Sequence, residues 1–179
     1  EDTLAHGACA GMAVSVRSLR GELFLLERGH AEVCPRRRAV RSGQVFDVAS
    51  LTKVLATASI CGVLVDRGEL DLDAPLSELL DGAPPAVTPR LCLSHASGWP
   101  AWRRLFDLAE AESMPWGTAS TRNHLLRTCW TTPLEAQPGE RHRYSDIGMM
   151  ALGAYLERLT RQRFDLLWHR LVGAPSGID

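Results

Sequence analysis

The sequence predicts an α+β fold, an antiparallel sheet hairpin followed by a mainly α-helical lobe, and three observations carry that expectation. Two short apolar runs, Gly11 to Val16 and Gly21 to Arg28, flank the polar stretch Arg17-Ser18-Leu19-Arg20, which is the pattern of a β-hairpin. From Ser50 onward the apolar residues recur at helical spacing. Beyond residue 40 no run reads as a third strand before Asp179. A lone hairpin is marginal in water, so its sheet is expected to continue in strands outside this chain.

The elements follow in order. After the hairpin, Pro35 and the basic cluster Arg36-Arg37-Arg38, closed by Ser42-Gly43, read as a solvated connecting loop. Val54, Leu55, Ala58, Cys61, Leu64 and Val65 then mark the buried face of a helix starting near Ser50, with Gly68 after Arg67 as its stop. Leu70 to Pro75 and Asp81 to Pro85 are turn-rich. Thr88-Pro89 supplies an N-cap and a first-turn proline for a short helix ending near Gly98. Further helices are expected over 104–113, 119–129, 147–161 and 164–172, and the loop Thr131 to Arg143, with Pro133, Pro138 and Gly139, leads into Tyr144. Trp99, Trp102, Trp116, Trp130 and Trp168 are expected in the core and in cleft walls.

Composition excludes several function classes. With 45% hydrophobic and 23% charged residues and a formal net charge of −1, the chain has the balance of a globular protein and no basic surplus for nucleic acid. No apolar run reaches the roughly 18 residues of a membrane span. The six histidines are dispersed without a His-x-x-x-His pair, and the five cysteines are odd in number and form no Cys-x-x-Cys, so neither a metal site nor a disulfide framework is expected. Unpaired cysteines favour a reducing, cytoplasmic setting; removal of a signal peptide would instead place the protein in the periplasm or outside the cell.

The basic residues hold the most informative signal. Of 20 Lys plus Arg, 19 are Arg, leaving Lys53 as the single lysine. Arginine keeps its proton at any accessible pH, whereas a lysine amine can be tuned to transfer one. Lys53 ends Ser50-Leu51-Thr52-Lys53, a Ser-x-x-Lys at the start of a helix, where i and i+3 share a face and the helix N-terminus favours developing negative charge. A serine hydroxyl becomes a nucleophile only when a neighbour takes its proton. Ser50 could equally be a simple N-cap.

Three ordered segments give these residues a context. Phe46 to Lys53 resembles the nucleophile segment of the serine β-lactamase and penicillin-binding-protein superfamily, of which Ser-x-x-Lys is a signature. Leu93-Ser94-His95-Ala96-Ser97-Gly98-Trp99-Pro100 resembles the Leu-Ser-His-Thr-Ser-Gly-Leu-Pro stretch of its class C-like and esterase branch, and Pro138 to Gly148 resembles that branch's Pro-Gly-x-x-x-x-Tyr-Ser-Asn segment. The resemblance implies a β-lactamase/transpeptidase-like fold, with residues 1–179 a single incomplete domain made of a sheet hairpin over 9–32 and a helical lobe over 45–179. It makes Ser50 the acylated nucleophile, Lys53 its proton-transfer partner, and Tyr144 the phenol that assists as base and then protonates the leaving group. Asp146 stands where the branch more often has Asn; it can accept from the Lys53 ammonium but, ionised, cannot donate to a substrate carbonyl. Asp146 also suits the N-cap of a helix beginning at Ile147. His95 is expected to be structural, in a turn near the site.

One family feature has no counterpart: after Tyr144 there is no match to the third motif, a Lys or His followed by a small residue and Gly on a late strand, which also supplies an oxyanion-hole N–H. The expected function is therefore covalent serine hydrolysis of small-molecule esters, D-alanyl amides or β-lactams, without a cofactor. The alternative is an inactive or truncated homologue serving as a binding or scaffold module.

Overall fold

The computed structural model describes residues 7–21 and 23–178, which fall into two units, one running to Val48 and one beginning at Ala49. In the first, β1 (Gly11–Arg17) and β2 (Leu23–Glu32) form the expected antiparallel hairpin, with Gly11 opposite Gly29 and Arg17 opposite Leu23. The Gly21 N–H donates to the Ser18 carbonyl at 3.0 Å and closes the turn. Cross-strand pairs Val14/Leu26 and Val16/Phe24 set the register on one face.

The sheet has a third strand that the sequence reading placed in a loop. β3 (Arg38–Ala39) pairs antiparallel with β2 at His30 and Glu32, across a bulge in β2. Two residues are too few to show a period of two, and an edge strand tolerates the charge of Arg38, which reaches Glu32 Oε2 at 3.4 Å. The basic cluster is thus partly strand, and exposed as expected.

The second unit holds the hydrophobic core. The helix expected from Ser50 starts with a wide π-helical segment, Lys53–Ala58, and continues as α1 (Ser59–Asp66). The Ser59 hydroxyl donates to the Val54 carbonyl at 2.8 Å, five residues back, in keeping with the wide turn. A 3₁₀ turn (Leu76–Glu78) precedes α2 (Pro89–Leu93), which is capped by the Thr88 side chain accepting from the Leu91 N–H. Then come α3 (Leu105–Ala111), α4 (Ala119–Thr131), α5 (Asp146–Thr160) and α6 (Phe164–Trp168), the last running into a second π segment (His169–Gly173).

α5 is the central element. It touches the Lys53–Ala58 segment, α2, α4 and α6, and its residues Ile147, Ala151, Leu152, Ala154, Tyr155 and Leu156 are buried. Small residues on this helix let its neighbours approach, while Ile60, Leu64, Leu76, Leu80, Val87 and Leu167 fill the space between them. Trp99 and Trp130 are buried and satisfy their indole N–H groups on the Thr132 and Asp81 carbonyls, each at 3.0 Å. Trp102 and Trp116 are exposed. Among the described residues no helix is long and apolar enough to cross a membrane.

Candidate active site

Ser50 and Lys53 meet because they are one helical turn apart. The Lys53 ammonium donates to Ser50 Oγ at 3.0 Å. The chain reaches that turn through Ala49, whose φ of +45° is an uncommon conformation for a residue with a Cβ. The first-turn bonds run from Thr52 N–H to the Ala49 carbonyl and from Lys53 N–H to the Ser50 carbonyl, each at 3.1 Å. The Ser50 hydroxyl is engaged with Lys53 and Tyr144.

Tyr144 and Asp146 come from the other side of the unit and are held by the segment His95 to Ala101. His95 has φ +54° and Gly98 φ +85°, which fold that segment into a cradle of outward-facing carbonyls. The loop leading to α5 hangs on them: Glu135 N–H donates to Gly98 at 2.8 Å, Gly139 N–H to Ala96 at 2.8 Å, Arg143 N–H to His95 at 2.7 Å and Asp146 N–H to Ala101 at 2.7 Å. A Cβ on Gly98 would lie 2.3 Å from the Ala136 carbonyl oxygen, so only glycine fits this approach.

The N-cap of α5 is Ser145, one residue earlier than expected. Its buried hydroxyl accepts from Gly148 N–H at 3.0 Å and donates to the Pro100 carbonyl at 2.7 Å. The capping expectation for Asp146 is thereby corrected: Ser145 already satisfies the orphan donor, and Asp146 sits in the first helical turn with its carboxylate free to meet Lys53. Asp146 Oδ1 lies 2.6 Å from the Lys53 ammonium, and the Tyr144 ring centroid lies 4.9 Å from it. Three of the expected site residues, Ser50, Tyr144 and Asp146, therefore surround the ammonium of the fourth, Lys53.

The proton affinities follow from this arrangement. Burial draws the Lys53 amine down, but the Asp146 carboxylate and the Tyr144 hydroxyl outweigh it, and the net displacement is above the usual 10.5. The Lys53 ammonium, and then the Ser50 hydroxyl, hold Tyr144 below the usual phenol value of 10.0. The cluster thus keeps the lysine charged and makes the phenol a stronger acid. Tyr155, the second of two tyrosines, is buried, and its phenol is pushed up. In a spectrophotometric titration near 295 nm, Tyr144 should therefore ionise below pH 10.0 and Tyr155 above it, with the early step lost in Tyr144→Phe. A single step at the ordinary phenol value would contradict the Lys53–Tyr144 contact.

A recess of about 250 Å³ borders Lys53 and Asp146 and is walled by Thr52, Thr57, Leu126 and Met149. It shares Arg122, Leu126, Met150 and Phe164 with a larger cleft of about 980 Å³ that reaches Phe106 and Trp116. Sequence reasoning missed Ser145 as a residue of the site, and the bonds by which His95, expected to be structural, acts there. Ser145 was passed over in favour of Asp146 as cap, although serine is an equally good N-cap; the bonds that His95 makes to the Tyr144 loop have no local sequence signal.

A hairpin, a helical unit and a serine–lysine–phenol cluster at the head of its first helix define a class. The chain belongs to the Beta-lactamase family, whose profile matches residues 1–179. Among curated relatives, "Esterase EstB" of Burkholderia gladioli is 30% identical over 190 residues, covering 93% of this chain and 47% of that protein. The protein named "Putative D-alanyl-D-alanine carboxypeptidase" of Escherichia coli K12 is 28% identical over 147 residues, covering 76% of this chain and 33% of its own length. The crystal structure of a penicillin-binding protein from Bacillus halodurans superposes with a TM-score of 0.78 at 26% identity, over 98% of this chain and 53% of that one. The chain thus spans about half the length, or less, of these curated relatives.

Proposed function

We propose that this chain carries the nucleophile, the proton-transfer pair and the supporting carboxylate of a serine hydrolase that works through an acyl-enzyme. The observation that carries the reading is the convergence of Ser50 Oγ at 3.0 Å and Asp146 Oδ1 at 2.6 Å on the one lysine ammonium, with the Tyr144 ring centroid 4.9 Å from it. Ser50 Oγ attacks the substrate carbonyl carbon as its proton passes to the Tyr144 oxygen, with Lys53 stabilising the phenolate form and relaying the proton. Collapse of the tetrahedral intermediate breaks the bond to the leaving group, which takes the proton from Tyr144. Water then attacks the acyl carbon by the same route in reverse, releasing the acid and regenerating the Ser50 hydroxyl.

Small-molecule esters are the favoured substrates, followed by D-alanyl amides and β-lactams. A relative 30% identical to this chain is named an esterase, and Asp146, as a carboxylate, suits holding Lys53 better than donating to a substrate amide carbonyl.

The test is covalent labelling. The full-length protein treated with a fluorophosphonate should gain one adduct that maps by mass to Ser50 and is absent in Ser50→Ala. An adduct on Ser94 or Ser145, or none at all, would reject the assignment, and a complete absence would favour the binding-module reading.

A further inference from the structure

His95 touches no reacting atom in the scheme above, yet it holds Tyr144 from three directions. Its carbonyl accepts the Arg143 N–H at 2.7 Å, and its Nδ1 accepts the Ser145 N–H at 3.2 Å, so the residues on either side of Tyr144 are both bonded to it. Its ring lies on the Tyr144 ring with centroids 4.5 Å apart and planes at 37°, a tilted stack. Tyr144 is otherwise an open side chain, 46% exposed, so this ring is one of its few walls.

We propose that His95 is a positioning residue: its neutral imidazole clamps the Tyr144 loop and aims the phenol oxygen at Ser50 and Lys53, and protonation of Nδ1 opens the clamp. The proposal rests on the reading of Tyr144 as proton acceptor. The Ser145 N–H can donate only to an unprotonated Nδ1, so the clamped tautomer carries its hydrogen on Nε2. A proton on Nδ1 would set two donors against each other.

The groups facing His95 work in one net direction. Burial disfavours the imidazolium most, the His142 ring at 5.9 Å and the Lys53 ammonium oppose it further, and the Asp146 carboxylate favours it without reversing the balance, which leaves His95 below the usual 6.5. The sign follows. A histidine held neutral contributes its clamp fully above pH 6.5 and loses it as pH falls below that value. At a pH below 6.5 acylation should therefore fall more steeply than Tyr144 ionisation alone would make it, through loss of aim rather than loss of substrate binding.

Three variants test this in the full-length protein with p-nitrophenyl acetate as probe, circular dichroism as the folding control and the Tyr144 ultraviolet titration as a readout independent of turnover. His95→Ala removes ring and acceptor and should lower kcat by roughly 10- to 100-fold with KM nearly unchanged, the scale expected when a catalytic group is displaced by about an ångström. It should also return the Tyr144 ionisation toward 10.0. His95→Asn keeps an acceptor near the Nδ1 position and tolerates the positive φ, so it should recover most of kcat, and because it cannot titrate it should lose the extra fall below pH 6.5 and keep only the slope that Tyr144 ionisation sets. An Asn variant that folds but keeps the extra fall below pH 6.5, or an Ala variant within twofold of the parent with an unmoved Tyr144 titration, overturns the proposal. Tyr144→Phe separates the two readings: if it hydrolyses the probe at the parental rate, the reading of Tyr144 as base fails, whatever His95 does.

Discussion

Lys53→Arg should lower the acylation rate of the full-length protein by roughly 100- to 10,000-fold, the range typical of losing a positioned proton-transfer group, while circular dichroism stays parental. The substitution keeps the positive charge beside Asp146 and most of the helix preference. It removes the capacity to give up a proton, because a guanidinium holds its proton at every accessible pH. It also replaces a compact ammonium that reaches Ser50 Oγ at 3.0 Å and Asp146 Oδ1 at 2.6 Å with a planar fork that cannot match both. Tyr144→Phe should fall in the same range, and the double variant should be little worse than either single one, since residues that act as a unit are not additive. Acylation by Lys53→Arg within a few-fold of the parent would show that the lysine supplies charge alone. The pH profile has a matching sign. Because Tyr144 is held below 10.0 and Lys53 above 10.5, the rate should rise as the phenol ionises below pH 10.0 and decline only as the ammonium is lost above 10.5.

Gly98→Ala should destabilise the protein by about 2–5 kcal/mol, the sum of about 1–2 for a Cβ in left-handed backbone and about 1–3 for overpacking. Both parts are visible at this residue: φ is +85°, and the added carbon would stand 2.3 Å from the Ala136 carbonyl oxygen. The Glu135 N–H, bonded to the Gly98 carbonyl, must shift with it, and with it the loop that carries Tyr144. Gly139→Ala is the internal control. Its φ of +84° is the same, but the nearest atom to its added carbon is Leu91 Cδ2 at 3.9 Å, so only the backbone term should appear. Urea melts of the two variants separate strain from collision. Equal losses would show that the approach of Gly98 to Ala136 relaxes freely.

The sequence by itself determined whatever depends on neighbours a few residues apart. The hairpin, the helix positions and the Thr88-Pro89 start of α2 are written in local period and capping chemistry, and the Ser50–Lys53 contact is fixed because i and i+3 share a helix face. The three ordered motifs pointed to Tyr144 and Asp146, though nothing in their own neighbourhood explains why a phenol and a carboxylate should face a lysine about 90 residues earlier. Tertiary structure decided that. It set the two-residue β3, too short to carry a period, and the choice of Ser145 over Asp146 as the cap of α5, which turns on the Pro100 carbonyl 45 residues away. It also made the His95–Ala101 cradle, whose carbonyls hold the Tyr144 loop by bonds between distant backbone groups, and such bonds leave no pattern in side-chain type. Local propensity reads side chains one element at a time, while the Ser50–Lys53–Tyr144–Asp146 cluster is made where two elements meet.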